Sequence, residues 1–465
     1  MSERAAFRLP AWARWAGQAA LFLAAFIPRA VYPVSRPLQW YERSFRFVDA
    51  VFSGQWAATV VSEHPGVVPM WLIGLAQHAY YRLATLLGRQ PPHPLDIANR
   101  AFETEVAISI LPLALSVAVG VLVAWRLLRG LFGEPVAWAG AGFLALDPFH
   151  IAISKVVHVD ALLSMLMLLS ALSALRHVQL TLARDGERPT LWERYRWLIA
   201  SGALAGLAFL TKSPAYFLVP FVGLSLLVMD AGLRQPLRQL LVPALISPGV
   251  WLAVATAVYV LLWPAMWVQP GPTLATVFAG VLKHAGRAHP QPIYYLGELT
   301  TEDPGPGFYA LTVLVKTTLL SLPLSLVGTL ASLTRRWRRE RRVLWLVAAY
   351  GLFFFVQMSL GAKKDTRYLL PLFPALDILA GVGLVTLASR WARGKPMLAA
   401  APMAAALALQ AALVWPYHPY YVTYASPLVG GPAGAQRLLV ATPENEGLDI
   451  VARYLNRQPG AERLR

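Results

Sequence analysis

Residues 154–169 read SKVVHVDALLSMLMLL, and their reading decides the fold. Three ionisable groups, Lys155, His158 and Asp160, stand within six residues at the mouth of a long apolar run. Such a run marks the start of a membrane span, since about 20 mainly apolar residues cross a bilayer. A carboxylate at the centre of a spanning helix costs about 2.5–3.5 kcal/mol, so an unpaired structural Asp160 is disfavoured, and a plain Lys–Asp pair is the simple alternative to a functional role. At 100° per residue Lys155 and His158 share a helix face, whereas Asp160 lies about 140° from Lys155. One regular helix cannot aim all three together. A break near Pro148, with the next helix starting just before Asp160, is expected to bring them to one outer pocket.

The composition agrees with a membrane solvent: 57% of residues are hydrophobic and 14% charged, against roughly a quarter charged in soluble domains. The net charge of +17 falls mostly in short segments between apolar runs, which is topology rather than nucleic-acid binding. With no cysteine, disulfides, thiolate zinc sites and a cysteine nucleophile are excluded. The first apolar run follows Arg4, Arg8 and Arg14 and lacks a small-residue cleavage site, so it reads as a retained helix.

Cutting at Pro, Gly and charge clusters gives an all-α integral membrane protein of about eleven transmembrane helices. They fall near 13–33, 101–125, 135–149, 158–176, 197–212, 214–231, 239–263, 308–333, 343–361, 368–389 and 397–415. With a cytoplasmic N-terminus, the short basic loops, including the block at 335–342, all lie inside. The long segments 34–100, 264–307 and 416–465 then lie outside, where they must build an extracytoplasmic layer because irregular backbone cannot face lipid. Within the first, 41–56 and 67–87 read as helices lying at the interface. Residues 1–415 thus form one polytopic domain, and 416–465 an extracytoplasmic tail that is either the start of a further soluble region or simply a stub.

Six of the seven lysines, namely Lys155, Lys212, Lys283, Lys316, Lys363 and Lys364, fall at outer helix ends or in outer loops, and Lys395 is the exception. Ammonium groups at that boundary need an anion, and lipid phosphate is the available one; snorkelling to ordinary headgroups is the alternative. The run 361–379 sets Lys363, Lys364 and Arg367 just outside a helix, against the topology rule the rest of the chain obeys. Asp49, in the first outer segment, is followed by the turn Glu63-His64-Pro65-Gly66. Glu63 and His64, with His284 and His289 of the second outer segment, offer a metal set, although ordinary polar loop residues are the simpler reading.

At these residues the chain resembles the GT-C superfamily of polyprenyl-phosphate-sugar-dependent glycosyltransferases, in its protein O-mannosyltransferase and aminoarabinose transferase branch. The family's first-loop acidic motif is similar to Asp49-Ala50, with Ala where a Glu is common, and its acid-x-His-Pro turn to 63–66. Its Pro…Ser-Arg…Asp pattern resembles Pro148, Ser154-Lys155 and Asp160, its Gly-Leu-x-x-Leu-Thr-Lys segment 206–212, and its Lys-x-x-Arg-Tyr run 364–368. The resemblance implies a sugar moved from a polyprenyl-phosphate carrier to a protein, lipid or glycan acceptor on the outer face, with inversion. Asp49 would be the base and Asp160 a second catalytic-site acid. Lys363, Lys364, Arg367, Lys155 and Lys212 would bind the donor phosphate, while Glu63, His64 and His158 orient the acceptor or the loop. No cofactor is required, though a divalent metal is allowed, and no nucleic-acid partner is implied. A secondary transporter or flippase is the alternative class, but it should show repeat symmetry and charges near mid-membrane.

Overall fold

The computed structural model describes residues 10–32, 39–96, 98–99, 101–183, 190–232, 237–288, 292–393, 395–439 and 448–460. In chain order the helices are α1 (Ala11–Ala30), α2 (Gln39–Phe52), α3 (Val67–Leu86), α4 (Phe102–Phe132), α5 (Glu134–Ala145), α6 (Pro148–Ser154), α7 (Asp160–Leu182) and α8 (Leu191–Thr211). They continue with α9 (Leu218–Gly232), α10 (Leu237–Leu262), α11 (Ala265–Val268), α12 (Pro270–Ala285), α13 (Gly307–Lys316), α14 (Ser321–Ala331), α15 (Arg341–Leu360), α16 (Phe373–Trp391) and α17 (Pro396–Val414). Among the described residues, six helices are long and apolar enough to cross a membrane, or eight spans if two bent pairs each count as one. The count of eleven is not confirmed by this criterion. α8 opens on the charged run Glu193-Arg194-Tyr195-Arg196 and α9 has only 15 residues.

The break expected near Pro148 is present. Asp147 N-caps α6, its carboxylate accepting the His150 amide at 2.6 Å, and Pro148 takes the first helical turn, where its missing N–H costs nothing. α5 and α6 meet at 52°, and a five-residue link, 155–159, leads into α7. A second break was not foreseen: α13 and α14 form a 109° corner inside the stretch read as one span over 308–333. There Thr318 and Ser321 cap each other, each hydroxyl accepting the other's backbone N–H at 2.9–3.0 Å, so a new helix starts where the hydropathy runs on.

The first long segment supplies α2 and α3, the two helices expected there. α2 buries Trp40, Tyr41, Ser44, Phe47 and Val48, and Gly74 of α3 admits them: a Cβ there would meet the Ser44 carbonyl at 2.6 Å. The second long segment adds a two-stranded hairpin, Ile293–Tyr295 with Glu298–Thr300, tied to the tail by a Leu296 to Leu438 backbone bond of 2.8 Å.

α7 and α16 form the centre of the bundle. The apolar windows of their spans are each 94% buried, against 22% for α10 and 17% for α17, which are left to face lipid. Both central helices begin at the end of the bundle that carries the long segments, so whatever precedes them is held on the most rigid part of the fold.

Candidate functional site

Asp160 is the first residue of α7 and is 3% exposed. Lys212, just past the end of α8, places Nζ 2.6 Å from Asp160 Oδ1. His158 Nδ1 stands 2.9 Å from Oδ2, and Arg367 Nε 3.8 Å from the same oxygen. Arg367 is fixed from the other side by Asp365 Oδ2 at 2.9 Å, and Asp365 also caps the 3₁₀ turn Thr366–Leu372 through the Arg367 amide. Tyr368 lies under the Lys212 ammonium, 4.6 Å from Nζ to ring centre, and Trp40 of α2 meets the His158 ring edge-on at 6.0 Å. Asp160 Oδ2, His158 Nδ1 and Arg367 Nε thus belong to one charged cluster that Asp365 closes from the far side. Lys212 Nζ carries three N–H donors and gives one of them to Asp160 Oδ1, so it has capacity left for an anion that enters from outside.

The turn at 63–66 docks onto this cluster. Gly66 sits at φ +58°, where a side chain would be strained and would also strike the Trp40 ring, and its amide donates to the Thr211 carbonyl at 3.1 Å, next to Lys212. Glu63 at the rim pairs with Lys283 of α12 at 2.8 Å, and Gly280 lets the two segments touch. Lys363 is half-buried; burial, with like charge from Lys212, Arg367 and Lys283, pulls its pKa down. Four cations from three parts of the chain, Lys212, Lys283, Lys363 and Arg367, therefore share one basin with Asp160, Asp365 and Glu63.

Other expected site residues do not join it. Lys155 is buried, but its ammonium turns away from Asp160 and donates to the Pro28 and Val31 carbonyls at 3.1 and 2.6 Å, closing the end of α1. Free carbonyls at a helix C-terminus attract a cation, and this one is within reach. Burial and the nearby Arg29 guanidinium bring its pKa down to about 8. The expected convergence of Lys155, His158 and Asp160 is thus realised only for the last two. Lys364 is likewise enclosed: Nζ donates to the Ser359 and Gly361 carbonyls at the end of α15 and lies 3.5 Å from Asp303. Both ammonium groups are engaged by backbone carbonyls at the ends of neighbouring helices.

Asp49 is exposed, and its carboxylate has no partner among the described residues. The reason is angular. Nine residues after Trp40 it lies about 180° around α2, on the face opposite the one that packs on α3 and His158. As for a metal, among the described residues no three His, Asp or Glu gather into a site. Glu63 has a lysine partner instead; the side chain of His284, and His289, lie outside the described residues. The backbone N–H of His64 donates a hydrogen bond to Ser62 Oγ at 3.3 Å within the turn.

Sequence reasoning missed Asp365, Tyr368 and Trp40 in the cluster, and Arg29 beside it. Arg29 is fully buried and donates to Ala25 and Ala145 carbonyls at 2.7 and 2.9 Å, joining α1 to α5. Its signal was available: a lone arginine at the far end of the first apolar run obeys neither hydropathy nor the positive-inside rule.

Burial, only partly offset by Asp160, holds the His158 imidazole down to about 4. Between pH 4 and about 6.5 the unfolded chain then binds the proton that the folded chain refuses, so stability rises with pH through that window. Melting temperature should fall as pH drops from 6.5 to 4, and His158→Gln should remove part of that slope. An unchanged slope in the variant would assign the acid sensitivity elsewhere.

The family model for dolichyl-phosphate-mannose-protein mannosyltransferases matches residues 97–267. YycA of Bacillus subtilis (strain 168), for which a mannosyltransferase activity is suggested by its name, is 30% identical over 151 residues, 32% of this chain and 20% of YycA. Among solved structures, ArnT from Cupriavidus metallidurans in the apo state matches with a TM-score of 0.54 at 19% identity, over 83% of this chain and 62% of that one. The same protein bound to undecaprenyl phosphate matches at 0.53 and 18%, with the same coverage. The oligosaccharyltransferase AglB from Archaeoglobus fulgidus, in complex with an inhibitory peptide and a dolichol-phosphate, matches at 0.52 and 13%, over 97% of this chain and 59% of that one. The chain spans less than two thirds of the length of each of these relatives. Its fold is similar to that of ArnT and AglB.

Proposed function

We propose that the chain transfers a sugar from a polyprenyl monophosphate to an acceptor hydroxyl, at the end of the bundle where α7 and the span of α16 begin. The observation that carries this reading is the set Lys212–Asp160–Arg367. Two cations, the buried Lys212 and the largely enclosed Arg367, are anchored by Asp160 and Asp365 at the mouth of the central helices. A departing polyprenyl phosphate gains negative charge as the glycosidic C–O bond breaks. Lys212 and Arg367, with Lys363 at the rim, would stabilise that charge in a water-poor setting where such contacts are strongest. Asp160 positions Lys212 and His158 and is not free to attack the sugar. Direct displacement by the acceptor oxygen would invert the anomeric centre.

The base is drawn from the first outer segment. Asp49, the expected one, is turned away from the basin, and Glu63 is the carboxylate that the Gly66–Thr211 contact brings to its rim. A positioned general base contributes about 100- to 10,000-fold. Glu63→Gln should therefore lower transfer by about that factor, and Asp49→Asn by less than about tenfold; the reverse order would return the role to Asp49. The reading as a whole is tested by binding: undecaprenyl phosphate should stabilise the purified chain and undecaprenol should not, with Lys212→Met and Arg367→Gln each abolishing the difference. Equal stabilisation by the alcohol would remove the phosphate site. Uptake of a solute into sealed vesicles would favour a transporter instead.

A further inference from the structure

A second basic site lies at the opposite end of the bundle. α1 touches the Lys155 link through Val31, and Arg14 stands 17 residues earlier, about 25 Å away along the helix. There α1 and α4 enclose a groove of about 410 Å³ lined by Arg14, Trp15, Gln18, Trp125, Arg126 and Arg129, with Val119, Leu122 and Val123 below. The three guanidiniums face no carboxylate along the lining, and none of them forms an ion pair among the described residues. Arg129 stacks over Trp125 at 4.9 Å, and Trp125 in turn packs on Trp138 at 4.9 Å. Trp138 reaches α1 because Gly17 has no Cβ; one would meet its ring at 2.7 Å. The indole N–H of Trp125, a side chain only 3% exposed, has no acceptor. α1 adds free amides at its first turn, with neither an acidic residue nor a side-chain cap, so its positive end is also uncompensated.

We infer that this groove binds the headgroup of an anionic phospholipid from the leaflet opposite the candidate site, with one acyl chain running along Val119, Leu122 and Val123. The charge asks for phosphate, and the wall distinguishes the source. Residues 119, 122, 123 and 126 share one face of α4, so the apolar strip continues directly below the arginines, as a lipid needs and an inorganic ion does not. Aromatic side chains at this depth are suited to the headgroup boundary. The bound lipid would clasp α1 to α4 at the end where no polar side-chain bond joins them among the described residues.

The test uses the full chain, purified in detergent, with phosphatidylglycerol or phosphatidylcholine added back and lipid retention read by native mass spectrometry alongside melting temperature. Wild type should retain phosphatidylglycerol and melt higher with it, while phosphatidylcholine does neither. Arg14→Gln with Arg126→Gln should weaken retention roughly 25-fold, about fivefold per arginine. Arg14→Lys with Arg126→Lys, which keeps both charges, should stay near wild type and serves if the glutamine pair does not fold. Equal retention of the two lipids, or an equal shift with inorganic phosphate at matched concentration, would overturn the inference.

Discussion

Asp160→Asn is expected to cost both activity and fold: a drop in sugar transfer of about 10- to 100-fold, as for loss of a group that orients site ligands, and about 3–5 kcal/mol of stability, as for breaking a buried ion pair from one side. The carboxylate is the common partner of Lys212 and His158 and stands within 3.8 Å of Arg367. An amide in its place leaves the Lys212 ammonium buried without a counter-charge. Arg367 keeps Asp365 at 2.9 Å and should hold its position. The two losses can be separated. Replacing the pair together, Asp160→Leu with Lys212→Met, removes both charges and fills the space with apolar atoms, an exchange that is often neutral or stabilising. The double variant should melt near the wild type and stay inactive. If it recovered activity along with stability, Lys212 would have no part in the chemistry and the cluster would be structural. Melting curves and a transfer assay on the three proteins decide between these outcomes.

The cluster also shows how far residue order alone could be read. The helices and the break at Pro148 were legible because hydropathy and proline act locally, over one or two turns. Asp160, His158, Lys212 and Arg367 were legible because a charge at the edge of an apolar run has to be compensated wherever the chain goes. The allocation of partners was not. Lys155 and Lys364 carry the same signal as Lys212, yet each ammonium is spent on carbonyls at the end of a neighbouring helix, α1 and α15. Which cation meets a carboxylate and which closes a helix depends on which termini the packing brings alongside. That is a long-range outcome with no local mark. The orientation of Asp49 was hidden for a different reason. Its neighbours gave an amphipathic helix, but the polar face of such a helix can border a cavity or bulk water, and only the docking of Trp40 against Gly66 and His158 decides which. The 109° corner between α13 and α14 was hidden because its cause, the mutual capping of Thr318 and Ser321, leaves hydropathy unchanged.

Gly383→Val is expected to have the largest effect on the fold, because it acts on the helix that directly follows the 3₁₀ turn carrying the site's arginine. α14 and α16 cross with almost no space between backbones: a Cβ on Gly383 would lie 2.0 Å from the Leu324 carbonyl oxygen, and one on Gly328 1.9 Å from that of Leu379. On its other side α16 meets α5 through Gly381, whose Cβ would stand 2.5 Å from the Gly140 amide nitrogen. These obstacles are backbone atoms, which cannot rotate aside as a flexible side chain does. Between membrane helices there is little hydrophobic drive to restore a contact once it is forced apart, since lipid tails are as apolar as the helix face, so small residues and close approach supply the association energy. Overpacking commonly costs about 1–3 kcal/mol and more when the backbone must shift. α16 cannot move away from α14 without also disturbing α5, and through it the α6 link that holds His158. Little monodisperse protein should survive detergent extraction and size-exclusion chromatography. Gly223→Ala in α9 is the matched control: nothing lies within 4 Å of the added Cβ, and alanine in a helix should stabilise by about 0.4–1 kcal/mol. If Gly383→Val ran and melted like that control, the close crossing of α14 and α16 would be wrong, and with it the rigid seat from which Arg367 reaches Asp160.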